Sequence, residues 1–99
     1  MAEFYLQIYE ICKKIPRGKV TTYKELARAA GSIAYRAVGS AMRCNPDAPA
    51  IPCHRVVCSD GRVGNYSAAG GARKKVALLK KEGVDVVNGK VDFRYLFKF

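Results

Sequence analysis

No stretch of this 99-residue chain is apolar for long enough to cross a membrane, and no membrane partner is expected. The N-terminus also lacks the basic-then-apolar order of a secretory leader, so a cytoplasmic setting is expected, nucleoid-associated or nuclear if eukaryotic. Internal repeats and low-complexity segments are absent. Finger-like ligand spacing is missing too, because Cys53, His54 and Cys58 crowd together, so neither a metal nor any other cofactor is expected. In an intracellular setting Cys12, Cys44, Cys53 and Cys58 are expected as reduced thiols, although they could in principle pair in three ways. Acidic residues are scarce. Eight Asp and Glu stand against 18 Lys and Arg, a formal net charge of +10. So basic a small body favours a polyanion, with nucleic acid first, over a surface that is merely soluble. Basic residues are spread through the chain, with doublets at Lys13-Lys14, Lys74-Lys75 and Lys80-Lys81, which fits a folded face and not a disordered tail.

Hydrophobic residues make up 49% of the chain, which implies one globular domain over residues 1–99 with one modest core. Phe4, Ile8, Ile11, Cys12 and Ile15 recur at helical spacing until Pro16-Arg17-Gly18 stops them. Thr22-Tyr23-Lys24-Glu25 has the form of a capping box and opens a short helix that ends at Gly31. Ser32 can cap a second helix from about Ala34 to Arg43, packed through Ala37, Val38 and Ala41. Two short helices across a Gly-containing turn outline a helix-turn-helix, from which Arg36 and Arg43 project. Asp60-Gly61 predicts a hairpin turn after Val57, and Asn88-Gly89 a second one. The 72–82 segment reads as a helix with Val76, Leu78 and Leu79 inward, a lysine-rich outer face and a stop at Gly83. Glu82 opposes the dipole at that end and should have a compensating partner. The aromatic tail from Phe93 to Phe99 should pack on the body. The expected fold is mostly α with short β-hairpins, a single winged helix-turn-helix-like domain.

The chemistry concentrates in Ile51-Pro52-Cys53-His54-Arg55-Val56-Val57. The thiolate is the nucleophilic form of cysteine, and a neighbouring imidazole or guanidinium can promote it. Pro52 fixes a torsion just before the sulfur and favours a rigid bend. Cys53 therefore reads either as a reactive thiol or as a buried structural one. Asn45, in the proline-rich loop ahead of it, is suited to bonding its own turn.

The heptad IPCHRVV resembles the active-site signature of the methylated-DNA–protein-cysteine methyltransferases, which repair guanine alkylated on its exocyclic oxygen. Further blocks resemble the family in the family's order: IPRGKVTTYKELA from Ile15, RAVGSAMRCNP from Arg36, VGNYS from Val63 and LLKKEG from Leu78. The resemblance covers the chain to about residue 85. It implies that Cys53 accepts the alkyl group once and irreversibly. His54 would relay the thiol proton through a water to Glu82, and Asn45 would orient the loop. Tyr23 and the backbones of Val56 and Ser67 would bind the extruded guanine, with Tyr66 beside them. Arg36 would fill the vacated stack, with Lys24, Ser32 and Ser59 at DNA-facing positions. The implied partner is double-stranded DNA containing alkylated guanine, bound by a monomer. The additional N-terminal domain common in the family is absent from this sequence, and Ala68-Ala69 stand where the family has a glycine. Three other readings compete: an alkyltransferase-like module that senses lesions without accepting the group, a winged-helix regulator, and a Cys–His hydrolase. Cys53 weighs against the first, since such modules often carry tryptophan there. The last would need an oxyanion hole.

Overall fold

A computed structural model describes residues 2–48, 50–64 and 70–99 of the chain. Helix α1 (Ala2–Cys12) presents Ile8, Tyr9 and Cys12 inward, each 7% exposed or less. It stops three residues before Ile15, where the sequence pattern placed its end. Pro16 disfavours helical torsions in the residue before it, so the last turn tightens into Lys14 N–H to Ile11 O and Ile15 N–H to Cys12 O bonds. Ile15 still reaches the core.

Strand β1 (Thr21–Thr22) runs directly into helix α2 (Tyr23–Ala29). Thr22 is the N-cap, its hydroxyl oxygen accepting from Glu25 N–H at 3.1 Å. Only half of the expected capping box forms among the described residues, because the Glu25 carboxylate turns to Arg28 at 3.6 Å. Gly31, at φ +71°, closes α2, with Ser32 N–H on Ala27 O and Gly31 N–H on Arg28 O. That pairing is a Schellman motif. Ser32 then accepts from Ala34 N–H at 2.9 Å, and helix α3 (Tyr35–Arg43) begins one residue later with no side-chain cap. Val38, Ala41 and Met42 turn α3 inward against α1 and α2. The Tyr9 hydroxyl ties α1 to α3 by donating to Ala41 O at 2.8 Å.

After the Asn45 loop, a single 3₁₀ turn (Cys53–Arg55) leads into strand β2 (Val56–Val57), which pairs parallel with β1. The expected hairpin after Val57 is built differently. Its turn forms, with Cys58 N–H bonded to Arg62 O at 2.8 Å. Yet Val56 and Val57 are both buried, as strands enclosed on two faces are, and they add to β1 instead of to residues 62–63. Residues 61–63 pair instead with the second hairpin, formed by β3 (Val86–Val87) and β4 (Lys90–Val91). The Asn88-Gly89 turn there has φ of 52° and 74°, the double positive that a tight I′ turn requires. Gly61 has φ +90°, and a Cβ added to it would lie 2.8 Å from Val91 O. Gly61→Ala should therefore cost about 2–4 kcal/mol of stability in chemical denaturation, from strained torsion plus overpacking. An unchanged midpoint would mean that this backbone contact is not kept in solution.

Helix α4 (Gly71–Lys81) ends in a second Schellman motif around Gly83, with Val84 N–H on Leu79 O and Gly83 N–H on Lys80 O. Its lysines do not all face out. Lys75 is 0% exposed, a position the sequence reading gave to the outer face. The tail crosses Val20, with Val20 N–H on Tyr95 O at 2.9 Å and Phe97 N–H on Val20 O at 2.7 Å. Two apolar clusters result, one among α1, α2 and α3, the other under α4 and the hairpin. Cys53 and Val56 belong to the first and Val57 to the second, so the 3₁₀ turn and β2 sit where the two meet. Among the described residues, no helix is long and apolar enough to cross a membrane.

Candidate functional site

Cys53 opens the 3₁₀ turn and is 5% exposed, with its N–H bonded to Ile51 O at 2.8 Å. The loop before it is held by Asn45. The Asn45 Nδ2 donates to Ile51 O at 2.8 Å, and Oδ1 accepts from Asp47 N–H at 2.9 Å. Asn45 thus fixes the backbone two residues ahead of the sulfur.

Behind Cys53 lies a chain of charge. His54 is 1% exposed, and its Nε2 stands 3.1 Å from Glu82 Oε2. Glu82 also receives Arg55 Nε at 2.9 Å and Arg55 Nη2 at 2.6 Å. Arg55 Nη1 donates to Ile15 O at 2.8 Å. Burial alone would push the Glu82 carboxyl up. Hydrogen bonds from Arg55 and His54 outweigh it and hold Glu82 below its usual value, so it stays ionised. Burial lowers His54 below 6.5, against the pull of Glu82, so the ring is neutral near pH 7. A neutral ring facing an ionised carboxylate must donate Nε2–H to it, which leaves Nδ1 as the basic nitrogen. Nδ1 is buried and, among the described residues, has no hydrogen-bond partner. The arrangement can accept one proton at Nδ1 and stabilise the resulting imidazolium through Glu82.

Lys75, unassigned from the sequence, donates Nζ to Val56 O at 2.7 Å and lies 6.0 Å from the Tyr23 ring centroid. Burial lowers its pKa to about 8, opposed by attraction to Cys53 and Cys58. Its ammonium is therefore mostly charged at neutral pH. A sequence signal existed: Lys75 lies four residues before Leu79 and seven before Glu82, on the helix face that both use. Arg55 was legible as a basic neighbour of the thiol but not as the clamp on Glu82. Burial raises Tyr23 to about 12, so its hydroxyl remains a hydrogen-bond donor. Cys12 is fully buried and likewise raised to about 12 by burial, its sulfur 4.0 Å from that of Met42. It stays a thiol.

An open cleft of about 260 Å³ is lined by Tyr23, Lys24, Tyr35, Cys58 and Ser59. It brings three of the expected residues together: Tyr23, Lys24 and Ser59. Arg36 is exposed on the first turn of α3, next to the lining residue Tyr35, and Ser32 is half-buried in the turn before it. Val56 is fully buried, its N–H bonded to Cys53 O and its carbonyl to Lys75. Tyr66 and Ser67 lie outside the described residues.

A family model described as the DNA-binding domain of 6-O-methylguanine DNA methyltransferase matches residues 3–84. A human methylated-DNA–protein-cysteine methyltransferase is 52% identical over 77 residues, which is 77% of this chain and 36% of that protein. A bifunctional methyltransferase/endonuclease of Picrophilus torridus is 40% identical over 97 residues, covering 96% of this chain and 32% of the relative. The chain thus spans about a third of the length of these curated relatives. Among solved structures, S. pombe Atl1 in complex with damaged DNA containing O6-carboxymethylguanine superposes with a TM-score of 0.89 at 33% identity. That likeness covers 100% of this chain and 98% of the other.

Proposed function

The chain belongs to the 6-O-methylguanine DNA methyltransferase family, and from that premise we propose that it repairs alkylated DNA directly, Cys53 taking the alkyl group from guanine O6. The observation that carries this reading is the buried His54–Glu82–Arg55 chain behind the cysteine, with His54 Nδ1 left basic and without a partner among the described residues. The thiol proton passes to Nδ1, directly or through one water, and Glu82 stabilises the imidazolium. Cys53 Sγ then forms a bond to the alkyl carbon while the carbon–oxygen bond breaks. The electron pair goes to guanine, where Tyr23, still protonated, is a donor for the developing charge. The sulfur ends as a thioether, so each molecule acts once.

An alkyl carbon within a stacked duplex is out of reach, so the base must rotate out at a cost of a few kcal/mol. Arg36, exposed at the start of α3, fills the gap in this reading, and Lys24 and the net charge of +10 supply sequence-independent attraction to phosphate. Low sequence preference suits a repair protein that must inspect any guanine. The known partners of relatives agree with this, since S. pombe Atl1 was solved on damaged DNA.

The test is mass. Incubation with a duplex containing O6-methylguanine should add one methyl to the Cys53 peptide and none elsewhere. A second reading, lesion sensing without transfer, is favoured by the end-to-end likeness to S. pombe Atl1 and by the near-complete burial of Cys53. Tight binding with unmodified protein would establish the sensor and end the repair reading.

The pH dependence follows from His54. Its pKa is lowered from 6.5, so the basic ring persists below that pH and is lost only as pH falls through the depressed value. Single-turnover transfer rates should therefore hold as pH falls through 6.5 and decline only below it, as the ring takes up a proton. The same depression makes neutral His54 contribute stability above pH 6.5, lost on acidification through its folded pKa. An acid limb centred above 6.5 would contradict a buried neutral base.

A further inference from the structure

Ile33 is 95% exposed, more than any other large hydrophobic side chain among the described residues. It sits just ahead of α3, whose N-cap is Ala34 and whose fourth residue is Val38. An apolar residue in that place ordinarily folds down onto the fourth residue and staples the helix start. Val38 is fully buried while Ile33 is almost wholly in water, so the staple is not made. The backbone nevertheless holds Ile33 in one place. Ala34 N–H donates to the Ser32 hydroxyl at 2.9 Å, and Tyr35 N–H donates to Ile33 O at 2.9 Å. With φ −82° and ψ 59°, Ala34 is the centre of an inverse γ-turn. On the other side, Ser32 N–H is bonded to Ala27 O in the Schellman motif that closes α2. Ile33 is thus presented to solvent on a fixed corner, and docking such a side chain costs little ordering of the chain.

The corner lies in basic surroundings. Between Glu25 and Asp47 the sequence has no acidic residue, and Arg28, Arg36 and Arg43 in that interval are all exposed. A surface of this charge fits the phosphates of a duplex. Isoleucine has no donor or acceptor, so it can neither bond a phosphate nor hydrogen-bond a base edge. What a duplex offers it is apolar: the deoxyribose faces that line the minor groove, and the flat face of a base pair wherever a step opens. The thymine methyl in the major groove would tie binding to sequence, which inspection of any guanine does not allow. Ser32 and Arg36, on either side of Ile33, already have DNA-facing roles, and Ile33 between them has none.

We propose that Ile33 is an apolar wedge that presses into the minor groove beside Arg36, pries at the adjacent base step and bends the duplex, easing the target base out. It is a positioning residue and touches no reacting atom. The proposal rests on the DNA-binding part of the repair reading and goes beyond it. Apolar contact releases no counterion, so its share of the affinity is independent of salt, unlike that of the arginines and lysines.

The experiment takes wild type, Ile33→Ala, Ile33→Leu and Lys24→Ala on one short duplex containing O6-methylguanine. Dissociation constants are measured across a salt series, and the bend is read by energy transfer between dyes on the two duplex ends. Ile33→Ala should weaken binding about fivefold to tenfold at every salt concentration and reduce the bend. The slope of log affinity against log salt should stay that of wild type. Ile33→Leu should bind and bend like wild type, since it keeps the apolar bulk. Lys24→Ala should instead lower the slope by about one. Unchanged affinity and bend in Ile33→Ala would overturn the wedge, as would a loss that shows as a change of slope. Should Ile33→Ala melt below wild type, Ile33→Thr keeps the branching at Cβ, removes the apolar reach and is read the same way. If wild type does not bind the duplex, the DNA reading and the wedge fall together. If it binds without transferring, the repair reading falls alone, and the same constants still decide the wedge.

Discussion

Cys53→Ala is expected to abolish alkyl transfer while binding the methylated duplex about as well as wild type. The loss should be about three orders of magnitude or more, since Cys53 is the thiol that the His54–Glu82 pair directly follows. Cys12 is no substitute. It is fully buried, and with a pKa of about 12 it holds its proton at neutral pH. Cys44 sits at the C-terminal end of α3, and its exposed thiol does not line the cleft. Cys58 does line it, so the peptide masses must show that Cys58 remains unmodified in the variant. DNA affinity should survive because Arg36, Lys24 and Ser59 are outside the core cluster that Cys53 joins. The truncation leaves a small void in that cluster and should cost only about 1 kcal/mol. Residual methylation of Cys58 at near wild-type rate would move the acceptor role away from Cys53.

How far the sequence carried this picture depends on the kind of force at each position. Both Gly-terminated helices were legible because Gly31 and Gly83 supply positive φ just where apolar periodicity ends. The Asn88-Gly89 turn was legible for the same local reason. The partner of β2 was not. Thr21–Thr22 lies 35 residues earlier in register with Val56–Val57, and no local propensity encodes a parallel pairing across that distance. Lys75 was hidden by its chemistry: lysine is assigned to solvent by default, and only the i−4 relation to Leu79 hinted otherwise. Glu82 was the opposite case. A carboxylate at a helix C-terminus is locally unfavourable, which signalled a partner, and the structure supplies His54 and Arg55. Local conflict in a sequence marked the site better than local agreement did.

Arg55→Met is the substitution with the largest expected effect on stability. The surface pairs of this chain are poor guides to its size: Lys13–Glu10 has side chains 48% and 73% exposed, and such pairs contribute about 0–1 kcal/mol. Arg55 and Glu82 are 16% and 8% exposed, so water cannot replace a lost partner. Methionine keeps the apolar stem but removes both donors to Glu82 and the donor to Ile15 O. An ionised carboxylate left buried with one partner should cost about 3–5 kcal/mol at pH 7. Glu82 would then bind a proton more readily, and the stability that its lowered pKa provides above 4.5 would shrink. The double variant Arg55→Met, Glu82→Gln separates the ion pair from mere loss of bulk. With no buried charge left unpaired, it should recover at least about 1.5 kcal/mol relative to the sum of the single changes. Additive losses in that cycle would show that Arg55 acts by filling space. Transfer should remain impaired in the double variant even where stability returns, because neutral glutamine cannot stabilise the His54 imidazolium.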